Sequence, residues 1–250
     1  MRNADINIVD ISTGKVVYMA REIKGADPKT FERLGGGWAR DARHVYFDGQ
    51  RIAKIDAESF RRLNQSFGID KNGVFFRMVF FPDADPKTFQ VLDSGLLLYE
   101  VDTFSGEDTR GYAKDEHQVW FGHLKVRNAD ASSFSSFGNG YGRDKKSAFY
   151  REKEIVGSDI TSWRHWRADM SLDEKNIFYR FKKIKNVDRR SVAHLSVRNC
   201  IIDRHGIFIH DKRVAIEEYL RFTTLPEWER EVLANGKLFE RILDEWPHSQ

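Results

Sequence analysis

Among the side chains of this 250-residue sequence that could do chemistry, carboxylates recur at a fixed spacing. One series runs Asp41, Asp70, Asp115, Asp144, Asp173 and Asp203, with Ser12 at the head of the register; a second follows fifteen residues after each member, at Asp27, Asp56, Asp85, Asp130, Asp159, Asp188 and Glu218. Acids bind calcium when they form an Asp-x-Asp-x-Asp ladder closed by a distal Glu, and no copy has that arrangement. They read instead as turn and cap residues. The eight histidines include no H-E-x-x-H pair and the single cysteine leaves no thiolate set, so no zinc site is expected. His205 and His210, five apart across an expected strand, read as structural. Cys200 stands where other copies carry Trp38, Phe67, Tyr112 and Met170, so it reads as a small core hydrophobe and not as a nucleophile. Gly35-Gly36-Gly37 lacks the Lys-Ser/Thr of a phosphate loop and is matched by Gly138-Asn139-Gly140, which makes it an inter-repeat turn. Nothing points to a Ser/His/Asp triad. The expectation is a chain with no catalytic, cofactor-binding or metal-binding residues.

The acids are positioned by an internal repeat, and a repeat sets the architecture before any local reading. The leading series steps by 29, 29, 45, 29, 29 and 30 residues. The long step marks an insertion at about residues 93–109. Four residues after each second acid comes a large apolar side chain (Phe31, Phe60, Phe89, Phe134, Trp163, Val192, Phe222), and three further on Leu34, Leu63, Leu92, Phe137, Trp166, Leu195 and Leu225.

Triplets such as Val45-Tyr46-Phe47, Val74-Phe75-Phe76 and Ile177-Phe178-Tyr179 are β-branched and aromatic and predict short strands with little exposed face. Asp48-Gly49 is a hairpin-turn pair, and other copies use Phe121-Gly122 or no glycine. The answering strand keeps one apolar residue (Ile23, Ile52, Phe81, Val126, Ile155, Ile184, Val214). A third short strand is expected before each leading acid, marked by Val9, Trp38, Phe67, Tyr112, Tyr141, Met170 and Cys200. The second acid starts a helical turn: in Asp27-Pro28-Lys29-Thr30 and Asp85-Pro86-Lys87-Thr88 the carboxylate caps orphan amides and proline occupies the first helical position. The Phe and Leu three apart are expected to point from that turn into the core. The leading acid suits a turn in which its side chain accepts amides two residues on.

These motifs resemble the bacterial DKNYY repeat family. The nearest copies are Tyr112-Ala-Lys-Asp115, Asp70-Lys71-Asn72-Gly73-Val74-Phe75-Phe76, Asp173-Glu-Lys-Asn-Ile177-Phe178-Tyr179 and Lys24-Gly25-Ala26-Asp27-Pro28, and the resemblance spans roughly residues 12–225. The family has no established catalytic residues to carry over. The resemblance implies an interaction protein, of a kind expected beside secreted bacterial toxins as an immunity protein.

Function is then sought where the repeat is broken. The insertion contains Leu96, Leu97, Leu98 and Tyr99, then Phe104, and reads either as an extra strand pair or as a protruding partner loop. Charge is the second break. Residues 141–213 hold 18 Lys and Arg against 10 Asp and Glu, concentrated at Arg180, Lys182, Lys183, Lys185, Arg189 and Arg190, while the residues after 213 hold 4 against 8. Such a strip is a solvated face, a site for an acidic protein partner, or a phosphate-binding surface. The third break is the end of the chain. Thr224-Leu-Pro226-Glu227 resembles a capping box, and Trp228, Val232, Leu233, Leu238, Phe239, Ile242, Leu243 and Trp246 recur at helical spacing.

The expected fold is mainly β, an α+β repeat: a tandem array of about seven 29-residue units, each two or three short strands plus a short helical turn, with a C-terminal helical cap. A propeller blade needs about 40 residues, so an elongated or curved array is favoured over blades. The domain expectation is a repeat domain over 1–225 and a cap over 226–250. No apolar run approaches the ~20 residues that span a bilayer. The N-terminus does not read as a secretory signal, and one cysteine supports no disulfide framework, so the cytoplasm is expected. The functional expectation is a non-enzymatic protein–protein interaction protein, specifically an immunity protein against a cognate toxin, with no cofactor. The alternative is nucleic-acid binding through the strip around 180–190.

Overall fold

A computed structural model describes residues 7–10, 14–94, 110–167, 169–195, 197, 199–222 and 225–234. It is mainly β, with seven small antiparallel sheets in tandem, one for each copy of the repeat. The chain forms two compact units, Met1–Lys145 and Lys146–Gln250. The division falls inside the fifth copy, whose strands Ser135–Gly138 and Tyr141–Arg143 belong to the first unit and whose strands Ala148–Tyr150 and Lys153–Glu154 belong to the second.

The third copy shows the plan. Its sheet runs in the order Val79–Phe81, Gly73–Phe76, Phe67–Asp70, Arg61–Arg62. The inner two strands are buried along their whole length because both faces of the sheet are covered by neighbouring copies. Phe75 packs toward the second copy, against Trp38, Val45, Phe47 and Ile52. Phe67, Val74, Phe76 and Phe81 pack toward the fourth, with Ala113 and Trp120. Alternate side chains of one strand thus enter two successive cores, as a period of two requires.

The strand expected before each leading acid is present, as in Trp38–Arg40, Phe67–Asp70, Tyr112–Lys114 and Met170–Leu172. The helical turn at the second acid is a single turn. Thr30 and Thr88 donate their amides to the carbonyls of Asp27 and Asp85, and Phe89 also reaches the Asp85 carbonyl at 3.0 Å. The Leu of the Phe–Leu pair does not lie on that turn. It stands in or beside a fourth, outer strand that pairs with the next copy's leading strand: Glu32–Gly35 against Trp38–Arg40, Arg164–Arg167 against Met170–Leu172. The sequence hides this strand because it is short and its residues, such as Glu32-Arg33 and Arg61-Arg62, are charged.

The hairpin between the triplet and its answering strand turns in the same way in all seven copies. The residue seven after the leading acid has positive φ in every copy: Met19, Asp48, Arg77, Gly122, Arg151, Arg180 and His210. Two-residue hairpins need this left-handed start to match strand twist. Only Gly122 meets it with a residue that adopts it freely, so turn composition signals the hairpins poorly.

The helix Glu227–Ala234 follows the last sheet. Tyr219 and Leu225 are buried with Cys200, Ile202 and Ile207, so the last core is closed by the final residues of the seventh copy. The periodicity places Trp228 on the apolar face, yet it is exposed and Glu229 is buried instead, accepting a hydrogen bond from the Tyr219 hydroxyl. Val232 and Leu233 belong to the helix, but residues 235–250, including Leu238, Phe239, Ile242, Leu243 and Trp246, lie outside the described residues. No helix among the described residues is long and apolar enough to cross a membrane.

Candidate functional site

The repeated acids come first because they are the obvious chemical groups, and the structure commits them to the backbone. Each leading carboxylate is at most 4% exposed. At Asp41, Oδ1 accepts the amides of Arg43 (2.7 Å) and His44 (2.6 Å), while Oδ2 accepts the amide of Asp27 (3.1 Å) and the hydroxyl of Tyr46 (2.7 Å). Asp70 takes the amides of Asn72, Gly73 and Asp56, and Asp115 those of His117, Gln118 and Asp85. Asp173 repeats the set with Lys175, Asn176 and Asp159. The turn two residues on is therefore as expected. The second arm, back to the preceding copy's second acid, is the additional finding. Burial works to raise the Asp41 pKa, but the bonds from Tyr46, Arg43, Asp27 and His44 outweigh it and hold the carboxyl at about 2.

A hydroxyl three residues after the second acid completes the joint. Thr30, Ser59, Thr88, Ser133, Ser162 and Ser191 occupy this place in six copies. Each oxygen accepts the amide just past the next leading acid: Ala42, Lys71, Glu116, Lys145, Glu174 and Arg204, at 3.1–3.3 Å. The signal was present in the sequence as a Ser/Thr in six of the seven copies. With these bonds made, the repeated Asp and Ser/Thr are joints of the scaffold. Among the described residues, no three His, Cys, Asp or Glu side chains gather where a metal could sit.

Cys200 is fully buried, and burial, with the charge of Glu229, pushes its thiol up to about 12. A thiol so held stays protonated and out of reach. His205 is exposed, while the His210 ring stacks on Tyr179 at 4.7 Å.

The basic strip divides when its side chains are placed. Arg180 sits at a hairpin tip with its guanidinium 3.3 Å from Asp169 and over the Tyr179 ring. Arg189 donates Nε to the Asp173 carbonyl. These two serve the fold. Lys182 and Lys183 form the outermost strand of their sheet, Lys185 follows in a turn, and all three are exposed, as is Arg190. The same edge in neighbouring copies adds Lys153, Lys212 and Arg213. Lys153 Nζ lies 4.4 Å from the Phe181 ring centroid and Lys182 Nζ lies 3.8 Å from Asp211, so successive edges touch and form one surface of the second unit. Leu96, Leu97, Leu98, Tyr99 and Phe104 lie outside the described residues. The chain on either side of them is fixed: the Leu92 amide donates to the Tyr112 carbonyl and the Tyr112 amide to Asp93 Oδ2.

Two polar groups were missed. Asp169 and Asn199 replace the Gly37, Gly111 and Gly140 of other copies, and Asn199 Nδ2 donates to Asp169 Oδ2 at 3.1 Å, beside Arg180. The deviation from glycine was legible; the pairing across 30 residues was not. His194 is buried with Nδ1 against the Leu195 carbonyl, and Nε2 has no partner. Since a carbonyl only accepts, Nδ1 carries the proton. Burial lowers its pKa to about 4, aided by Arg167 and opposed by the Leu195 bond. The native state therefore binds fewer protons here than the unfolded chain, and stability falls as pH drops from about 6.5 toward 4. We expect the wild type to lose about 2 kcal/mol between pH 7 and 5, and His194→Gln to lose clearly less in parallel urea titrations. Equal losses in the two proteins would show that His194 does not titrate as described.

A family model described as the DKNYY family matches residues 38–181, more than half of the chain. No curated protein and no solved structure matches.

Proposed function

The chain belongs to the DKNYY family, and from that premise we propose that it is a non-enzymatic interaction protein of the cytoplasm, an immunity protein that binds and neutralises a cognate toxin. The observation that carries the reading is a contrast. The repeated acids and hydroxyls are bonded to backbone within and between copies, whereas Lys182, Lys183 and Lys185 stand exposed along a sheet edge. Stacked sheets that carry exposed cations along one edge suit an acidic protein surface. The nucleic-acid reading is less well supported, because Arg180 and Arg189, two of its six cations, are held by the chain itself.

Co-expression with the product of the neighbouring gene tests the proposal, and a tight complex with protection from toxicity is the expected result. If no such product binds and none is neutralised, the immunity reading fails. Reversing Lys182, Lys183 and Lys185 to Glu is expected to slow association about tenfold or more at low salt and to flatten its salt dependence, since exposed charges act chiefly on the encounter rate. Duplex DNA that binds the wild type with a steep salt slope, lost in the same variant, would assign the strip to phosphates instead.

A further inference from the structure

The outermost strand of each sheet is charged or polar in six copies: Arg21–Glu22, Gln50–Ile52, Leu124–Lys125, Lys153–Glu154, Lys182–Lys183 and Lys212–Val214. Charge on an edge strand keeps other chains from pairing with it. The third copy departs from this rule. Its edge reads Met78-Val79-Phe80, with exposures of 43, 52 and 47%. Val79 pairs with Phe76 and Phe80 with Phe75, and Val79–Phe81 ends the sheet order. Across a two-residue hairpin, Phe76 and Val79 form the hydrogen-bonded pair, so the N–H and C=O of Phe80 turn away from the sheet. The Phe80 ring lies 5.3 Å from Phe75 and covers Gly73, so it is held in place rather than free to fold away. An apolar edge with an outward backbone pair is a template for an added strand.

The charges around it say what that strand is. The edges above and below carry exposed Arg51 and Lys125 at the register of Phe80. Asp48 and Asp83 fall at the level of the strand's ends. A second copy paired about a two-fold axis normal to the sheet would set Arg51 beside Arg51 and Lys125 beside Lys125, which like charge opposes. We propose that Met78–Phe81 is a docking edge for an extended segment of another protein, apolar residues flanking a central acidic pair, added as a fifth strand to the third sheet. Successive acids of such a strand point to opposite faces, one toward Arg51 and one toward Lys125. This surface lies in the first unit and shares no residue with the basic edge of the second, so neither reading depends on the other.

The test uses the full chain and two fluorescent peptides, Thr-Val-Glu-Glu-Val-Val-Thr and its Lys-Lys counterpart, followed by anisotropy and by the amide shift of Phe80. The glutamate peptide should bind at least tenfold more tightly than the lysine peptide and shift the Phe80 amide. Val79→Lys with Phe80→Glu installs the residues of the fifth copy, Lys153 and Glu154, on which that copy folds, so the variant should keep its unfolding midpoint, while the added carboxylate repels the acidic pair and binding falls at least tenfold. No binding, equal binding of both peptides, or binding unchanged in a folded variant would overturn the proposal. Self-association of the wild type in sedimentation, abolished in the variant, would assign the edge to a second copy and overturn it equally.

Discussion

Asp41→Ala should lower the unfolding free energy by about 3–5 kcal/mol, a loss reserved for broken buried networks. The carboxylate accepts three amides and the Tyr46 hydroxyl, and it is 3% exposed. Removing it leaves those donors inside the protein without their acceptor. Because one arm reaches Asp27, the substitution also parts the first and second copies. Tyr46→Phe removes a single donor along with its need for a partner, and should cost only about 1 kcal/mol. Urea titrations of the two variants check the ordering; equal losses would mean that the backbone arms contribute little. The same geometry fixes an acid limb. The folded carboxyl titrates at about 2, below its ordinary 3.8, so its contribution is complete above pH 4 and is lost as pH falls through 2. That contribution amounts to about 2 kcal/mol and is absent from the alanine variant. It lies below the window of His194, so acid weakens the molecule in two successive stages.

The fold was legible because the repeat aligns the chain with itself. The steps between leading acids, the aromatic triplets and the strand before each acid correspond to the sheets observed, including the copy in which Cys200 replaces an aromatic ring. What escaped had physical reasons. The outer strand at Glu32–Gly35 carries no apolar alternation, since it lies at an edge and is held by pairing rather than by burial. Hairpin turns at Arg77, Arg151 and Arg180 use residues that give no turn signal, because the strands on either side force the left-handed conformation. Interaction across a joint, such as Asp41 with Asp27 or Asn199 with Asp169, is a relation between copies and has no signature within one. The site was legible to a lesser degree. Net charge located the basic strip, but charge alone does not distinguish Arg180 and Arg189, which are bonded to their own chain, from Lys183 and Lys185, which stand exposed. The exposed Met78-Val79-Phe80 carried no separate signal in the sequence, since strand period does not tell a buried apolar residue from one at an open edge.

Phe67→Ala should cost about 3–5 kcal/mol, the range for deleting a buried aromatic ring. Phe67 is fully buried and meets the rings of Phe76, Phe81 and Phe89 at 5.2, 6.1 and 5.5 Å. These three side chains come from different elements of the third copy, so the space cannot close by one side chain changing rotamer. The position has a natural comparison in Cys200, a small residue at the same place in the seventh copy. There Tyr219, the residue after the second acid, brings a ring into the core beside Leu225. The third copy has Pro86 at the place of Tyr219, so no ring stands there behind Phe67. In a stack whose copies touch mainly their neighbours, damage should spread by adjacency. Amides of Phe67–Phe76 and Tyr112–Phe121 are expected to lose hydrogen-exchange protection first, while those of Ile177–Tyr179 in the second unit keep theirs. Uniform loss of protection across all seven copies would show that the array unfolds as one cooperative body, and that the joints at the repeated acids couple distant copies as strongly as adjacent ones.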